Sequence, residues 1–303
     1  MARFQVVHRT EYRYAQTMTD GFTTTHLLPR ATLSQTVESA TITVDPQPDE
    51  LDHTVDQFGN SVMQFAVHRP HDRLSIESLI WVSVADPSVA DPSGDGTITA
   101  GAALVTWEEV RAAAAAATDD LALELGPFLA HSGLTPRLGE LAALVDPVFG
   151  SNRGMVEAVA ELGHRIFGEF RFDPGFTDVA TPLGDVLAAR RGVCQDFAHV
   201  AAAALRSTGL PARYVSGYIE TLPAPGQPKL VGADASHAWC SVWAGPLGWL
   251  DFDPTNDQMP PQCHVTVGWG RDYLDVAPVR GVVIGPGGEQ TLTVSVDVME
   301  LNP

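Results

Sequence analysis

A change of pattern partway along the chain constrains the fold more than any other feature. From Phe4 to about Val84 almost every segment is strand-like: 5–10, 37–44, 61–68 and 74–84 carry β-branched and aromatic residues with partial alternation. Asp45-Pro46-Gln47-Pro48, Phe58-Gly59-Asn60 and Arg69-Pro70-His71-Asp72 read as the turns between them. Short strands at this spacing predict a β-sandwich. A run rich in Pro, Ser, Gly and Asp follows, from Asp86-Pro87 to Gly96, and reads as a linker. Beyond it the period is helical over 107–117, 119–129, 137–145 and 155–167, and another helix starts at Cys194 and is stopped by Gly209-Leu210-Pro211. Strand patterns return over 212–220, 236–243, 248–253 and 279–298. The expected fold class is α+β: a β-sandwich at 1–86, a linker at 87–100, and at 101–303 a unit of helices packed on an antiparallel sheet, able to fold by itself.

Bulk properties narrow the function. The net charge of -19, from 37 acidic against 18 basic residues, lacks the electrostatic footprint for phosphate backbones, so nucleic acid is not an expected partner. No Asp-rich loop of calcium-binding spacing appears, and the acidity reads as a solvated surface. The N-terminus runs from Met1-Ala2-Arg3 straight into a strand pattern, and no apolar run approaches membrane-spanning length. The expectation is a chain without signal peptide or membrane contact, located in the cytoplasm. Three cysteines, Cys194, Cys240 and Cys263, are too few and too scattered for a disulfide framework and suit a reducing compartment.

Cys194 is the residue with the clearest chemistry. Gly192-Val193 hands the chain to the alanine-rich helix that Cys194 opens, and the free amides and positive dipole end of a helix N-terminus favour the nucleophilic thiolate. His237 and Asp253 follow downstream, completing a Cys, His, Asp order. The strands at 237–243 and 249–253 flank Ala244-Gly245-Pro246-Leu247-Gly248 and predict a hairpin. Centring the turn on Pro246 sets Trp239 opposite Asp253 and leaves His237 one diagonal step away, within side-chain reach on the same face. Asp251 points the same way but lies farther from His237, so Asp253 is the preferred partner and Asp251 the alternative.

Two rival assignments involve neighbouring residues. His199 is close to Cys194 in sequence, but five residues along a helix turn through about 500°, which carries it off the cysteine's face. It reads as a buried helix histidine. His237, Cys240, Cys263 and His264 can be written as a zinc set, yet His237 and Cys240 on one strand point to opposite faces, which disfavours a shared ion.

At Gly192-Val193-Cys194-Gln195-Asp196-Phe197-Ala198, 209–218, His237-Ala238-Trp239 and Phe252-Asp253-Pro254-Thr255-Asn256 the chain resembles the bacterial branch of the transglutaminase-like superfamily of cysteine acyl-transfer enzymes. Thr10-Glu11-Tyr12-Arg13-Tyr14 and Asp56-Gln57-Phe58-Gly59-Asn60 are similar to the β-rich region that precedes the core in that branch. The resemblance implies a papain-like core, with Cys194 as nucleophile, His237 as base and Asp253 as its orienter. Members of that family include crosslinkers, peptidases and amidases; with no signal peptide and no extra β-barrels, the expected reaction is cysteine-dependent amide hydrolysis, by a peptidase or amidase acting on a peptide or protein through a thioester. The alternatives are a transglutaminase-type acyltransferase and a binding module with a vestigial site. No cofactor or metal is expected, and the sequence offers no second oxyanion donor.

Overall fold

The computed structural model describes residues 1–85, 105–220, 236–259 and 263–301. The predicted linker at 87–100 lies outside the described residues. The first half is built from β1 (Ala2–Met18), β2 (Asp20–Thr25), β3 (Gln35–Asp45), β4 (Glu50–Val55), β5 (Ser61–Val67) and β6 (His71–Val84). The helical segment holds α1 (Trp107–Ala115), α2 (Asp119–Leu129), α3 (Ala142–Val145), α4 (Met155–Glu169), α5 (Leu183–Ala189) and α6 (Cys194–Ser207). Two short strands, β7 (Arg171–Phe172) and β8 (Arg191–Gly192), pair in parallel just ahead of α6. The remaining strands are β9 (Ala212–Ile219), β10 (Ser236–Trp243), β11 (Trp249–Phe252), β12 (His264–Gly270), β13 (Val279–Ile284) and β14 (Gln290–Leu301). The α+β class is as the sequence predicts.

Among the described residues, three four-stranded antiparallel sheets have the strand orders β14-β1-β6-β3, β13-β2-β5-β4 and β11-β10-β9-β12. The first two form the expected sandwich, but its membership differs from the sequence reading. The sequence pattern places 279–298 in the unit at 101–303; in the structure β13 pairs with β2 from Val279↔Thr25 to Ile284↔Asp20, and β14 pairs with β1 from Arg3↔Leu301 to Tyr14↔Gln290. A strand pattern records alternation and says nothing about the partner, and here the partners lie more than 250 residues away.

The sandwich does not stand apart from the helical unit. In β6 every second residue from Leu74 to Val84 is buried. At one end of the long sheet this face packs with Tyr14, Leu27, Met63 and Phe65 between the two sandwich layers. At the other end Phe4, Val6, Ile80, Val82, Val296 and Val298 pack on Tyr218 of β9 and on Val265 and Val267 of β12. Each such fully buried side chain contributes roughly 1.5–3 kcal/mol, so this shared core opposes independent folding of 101–303.

Two amides reinforce the contact. Gln35 donates from Nε2 to the Thr266 carbonyl at 2.7 Å and accepts the Thr266 N–H at 2.9 Å. Asn60 does the same at Trp269, and its turn is tied by Asp56, which accepts the Asn60 backbone N–H at 2.9 Å. Above Trp269 lies Arg30 at 3.3 Å from the ring centre, and Arg213 also faces that ring, at 4.2 Å. The edge of the third sheet is thus covered by the sandwich.

On the other side, α6 is the central helix. It is buried from Asp196 to Arg206, its alanines packed against β10 and the surrounding helices, with Cys240, Val242 and Phe252 in the same core. The helix predicted at 137–145 is shorter, a 3-10 turn at Gly139–Leu141 running into α3.

Candidate active site

The start of α6 is fixed by side chains around Cys194. Val193 is extended, with φ -120° and ψ -179°, and Asp196 turns back so that its Oδ2 accepts the Val193 N–H at 2.8 Å and the Thr177 hydroxyl at 2.6 Å. A Cβ on Gly192 would lie 2.6 Å from that oxygen, which is why a glycine precedes the cap. Cys194 is the first helical residue, so its N–H has no intrahelical acceptor. Its side chain is partly buried, packed near Tyr214, Ala238 and Tyr273.

The hairpin delivers the other two residues in the expected register. Cys240 pairs with Phe252, Ser241 with Asp251 and Trp243 with Trp249, and continuation of that ladder sets Trp239 opposite Asp253. His237 donates from Nε2 to Asp253 Oδ2 at 2.7 Å. The carboxylate only accepts, so this bond places a proton on Nε2 and leaves Nδ1 as the nitrogen that gains or loses the second proton. Cys194 lies close enough to the same imidazole to favour its charged form. Asp251 is occupied elsewhere: its Oδ2 accepts Trp239 Nε1–H at 3.2 Å. The structure therefore brings Cys194, His237 and Asp253 together and leaves Asp251 out.

The electrostatics are asymmetric. Burial opposes a charge on His237, but the hydrogen bond to Asp253 and the nearby Cys194 overcome it and raise the pKa to about 10. Burial also opposes ionised Asp253, yet the bonds from His237 and His264 hold it far below the usual carboxylate range. Asp251, with weaker partners, is raised by burial. The other thiols are unfavourably placed: burial pushes both Cys240 and Cys263 upward.

Residues the sequence reading did not place complete the centre. His264 donates from Nε2 to the same Asp253 oxygen at 2.9 Å, and Asn256 donates to it from Nδ2 at 2.7 Å. Asp253 Oδ1 accepts the backbone N–H of Thr255 at 2.8 Å and of Asn256 at 3.3 Å. Asp253-Pro254-Thr255-Asn256 carries an Asx-turn signal that could have exposed the second set. His264 has no comparable local signal. Trp239, fully buried, lies beside His237 at 6.1 Å between ring centres and meets His264 edge-on at 4.9 Å. Its ring crosses Gly217, where a Cβ would be 2.6 Å away.

The rival assignments fare differently. His199 is buried and its Nε2 accepts the Tyr273 N–H at 3.1 Å; burial and the nearby Arg206 lower its pKa to about 3. Cys240 sits in the helix-side core, so the set His237, Cys240, Cys263 and His264 is not assembled. His237, Asp253 and His264 do cluster. Their 2.7 and 2.9 Å separations are those of hydrogen bonds, whereas ligands of a tetrahedral zinc at about 2.0–2.1 Å stand roughly 3.3 Å apart.

A thiol at a helix start, beside an imidazole that an ionised carboxylate orients, has the arrangement of a cysteine acyl-transfer centre. Family comparison agrees with that class. Residues 4–83 match the bacterial transglutaminase-like N-terminal region and residues 142–254 match the transglutaminase-like superfamily core. The chain belongs to the transglutaminase-like superfamily. An uncharacterized protein of Mycobacterium tuberculosis is 41% identical over 301 residues, covering 98% of this chain and 92% of its own. A protein-glutamine gamma-glutamyltransferase of Pseudomonas aeruginosa is 42% identical over 96 residues, 30% of this chain and 14% of that one. Among solved structures, a cysteine protease candidate from Cytophaga hutchinsonii shares the fold with a TM-score of 0.75 at 21% identity, covering 100% of this chain and 91% of that chain.

Proposed function

We propose that the chain is a cysteine-dependent amide hydrolase, a peptidase or amidase acting on a peptide or protein. The observation that carries this reading is the position of His237, bonded through Nε2 to Asp253 and near enough to Cys194 for the thiol to favour its charged form. The Cys194 sulfur, its proton passed to His237, attacks the amide carbon and gives a tetrahedral oxyanion. The Cys194 backbone N–H is the candidate donor to that oxyanion, a contact worth about 3 kcal/mol in suitable geometry. As the C–N bond breaks, the His237 imidazolium protonates the departing amine and a thioester remains. Water then attacks the thioester, His237 takes its proton, and the thiol and a carboxylic acid are released. Asp253 stabilises the imidazolium and keeps its tautomer.

The local similarity to a protein-glutamine gamma-glutamyltransferase supports a second reading, in which a lysine amine instead of water discharges the thioester. A peptide-library screen with and without a primary amine separates the two: a new carboxylate marks hydrolysis and a new amide marks transfer. Mass spectrometry of the enzyme should trap an acyl group on Cys194. Neither product nor acyl-enzyme from any library would leave the reading as a binding module with a vestigial site. The three thiols, all free, suit the reducing cytoplasm we propose as its compartment, which cell fractionation tests.

A further inference from the structure

Asp253 is held by more donors than a base-orienting carboxylate requires. Three side-chain donors converge on Oδ2, from His237, Asn256 and His264, while two backbone amides occupy Oδ1. Two of the side-chain donors and both amides come from β10 or from the turn that carries Asp253 itself. His264 is different. It sits on β12, at the far edge of a sheet ordered β11-β10-β9-β12, and reaches Asp253 across the intervening strands.

We infer that His264 is a positioning residue: a neutral donor that pins Asp253 Oδ2 to the opposite edge of the sheet and so fixes the direction in which the carboxylate meets His237. This rests on Cys194 and His237 acting as nucleophile and base. Rotation of the Asp253 carboxylate about its Cβ–Cγ bond would exchange its oxygens. With Oδ2 tied to His264 and Oδ1 to the turn amides, that rotation breaks bonds on both sides. The donor is best kept neutral, since an imidazolium here would compete with His237 for the one negative charge. Burial supplies this by outweighing the pull of Asp253 and moving His264 below the ordinary imidazole range. Its side chain is 1% exposed, with the Trp239 ring packed edge-on at 4.9 Å. Its Nδ1 lies 3.8 Å from Cys263 Sγ, and its ring centre is 5.6 Å from that of His237.

The inference is tested with His264→Phe, which keeps a ring and removes the donor, and His264→Gln, which retains an amide donor. Two readouts apply: the rate of Cys194 alkylation by iodoacetamide at neutral pH, and the low-field proton NMR signals of imidazole N–H groups bonded to carboxylate. The wild type should show two such signals. H264F should lose one, shift the His237 signal, and slow alkylation between about 10- and 100-fold, the scale on which small misplacements act. H264Q should restore most of the rate. A His237 signal and an alkylation rate unchanged in H264F would overturn the positioning role, since a residue that only fills space would not move that signal. His237→Ala is the control for the underlying reading: if it too leaves the rate unchanged, the nucleophile and base assignment fails, whereas a slow H237A beside an unaffected H264F removes the positioning role alone. Should H264F not fold, His264→Asn, too short to reach Asp253, takes its place with the same expected result.

Discussion

Asn60 meets Trp269 as a neighbouring strand would, donating to its carbonyl at 2.8 Å and accepting its N–H at 3.0 Å from a single side chain. Asn60 is 1% exposed, so its loss leaves two backbone groups of β12 without a partner away from water.

Asn60→Ala and Gln35→Ala should each lower stability by about 1–3 kcal/mol. The double variant should slow Cys194 alkylation as well, because β12 carries His264. Denaturant titrations and labelling rates check both. A chain starting at residue 101 should not unfold cooperatively, since β13 and β14 would lose β2 and β1. A sharp, native-like transition for that fragment would contradict the shared core.

Replacement of Asp253 by Asn should reduce turnover by roughly three to four orders of magnitude. It should also destabilise the fold, because either orientation of the amide points its NH2 at donors that now surround one of the two carboxylate oxygens. Asp251→Asn, which still accepts from Trp239, should change turnover by no more than about tenfold. Similar losses from the two variants would refute the assignment of Asp253.

Among the three thiols, Cys194 should react with iodoacetamide at neutral pH at least about tenfold faster than Cys240 or Cys263. Cys240 is fully buried, and burial raises both competitors. Peptide mapping after brief labelling measures the ratio, and equal modification would remove Cys194 from its role.

The pH dependence of stability follows from opposed histidines. His237, raised to about 10, stabilises the fold fully below its unfolded value near 6.5 and loses that contribution as pH rises through about 10. His8 and His199, lowered by burial to about 4 and about 3, act in the other direction: stability present above 6.5 is lost as pH falls through those values. The stability advantage of wild type over His237→Gln should therefore be about 1–3 kcal/mol at pH 6 and shrink by pH 10.5. Urea unfolding at both pH values measures it, and an advantage that grows with pH would contradict the ionised pair.

The sequence made legible what is local. The turn around Pro246 points to the β10–β11 register found in the structure and so favours Asp253 over Asp251, and Gly192 before Cys194 marks the helix start. What stayed hidden depends on long-range pairing. Nothing in the alternation at 279–298 indicates β1 or β2 as partner, and nothing around Gln35, Asn60 or His264 shows that all three converge on β12 and its surroundings. Such contacts are set by topology, which a strand pattern does not encode.

The placement of β14 beside β1 orders events in time. During synthesis β1 emerges first, yet its neighbour on that side is completed only when residue 301 has been made. Until then Phe4 and Val6 lack Val296 and Val298, and the sheet that carries Gln35 lacks one of its four strands. At about 5–20 residues per second, the interval from β1 to β14 lasts on the order of 15–60 seconds. Cys194 is thus translated well before β14 can complete the core that the sandwich shares with β9 and β12.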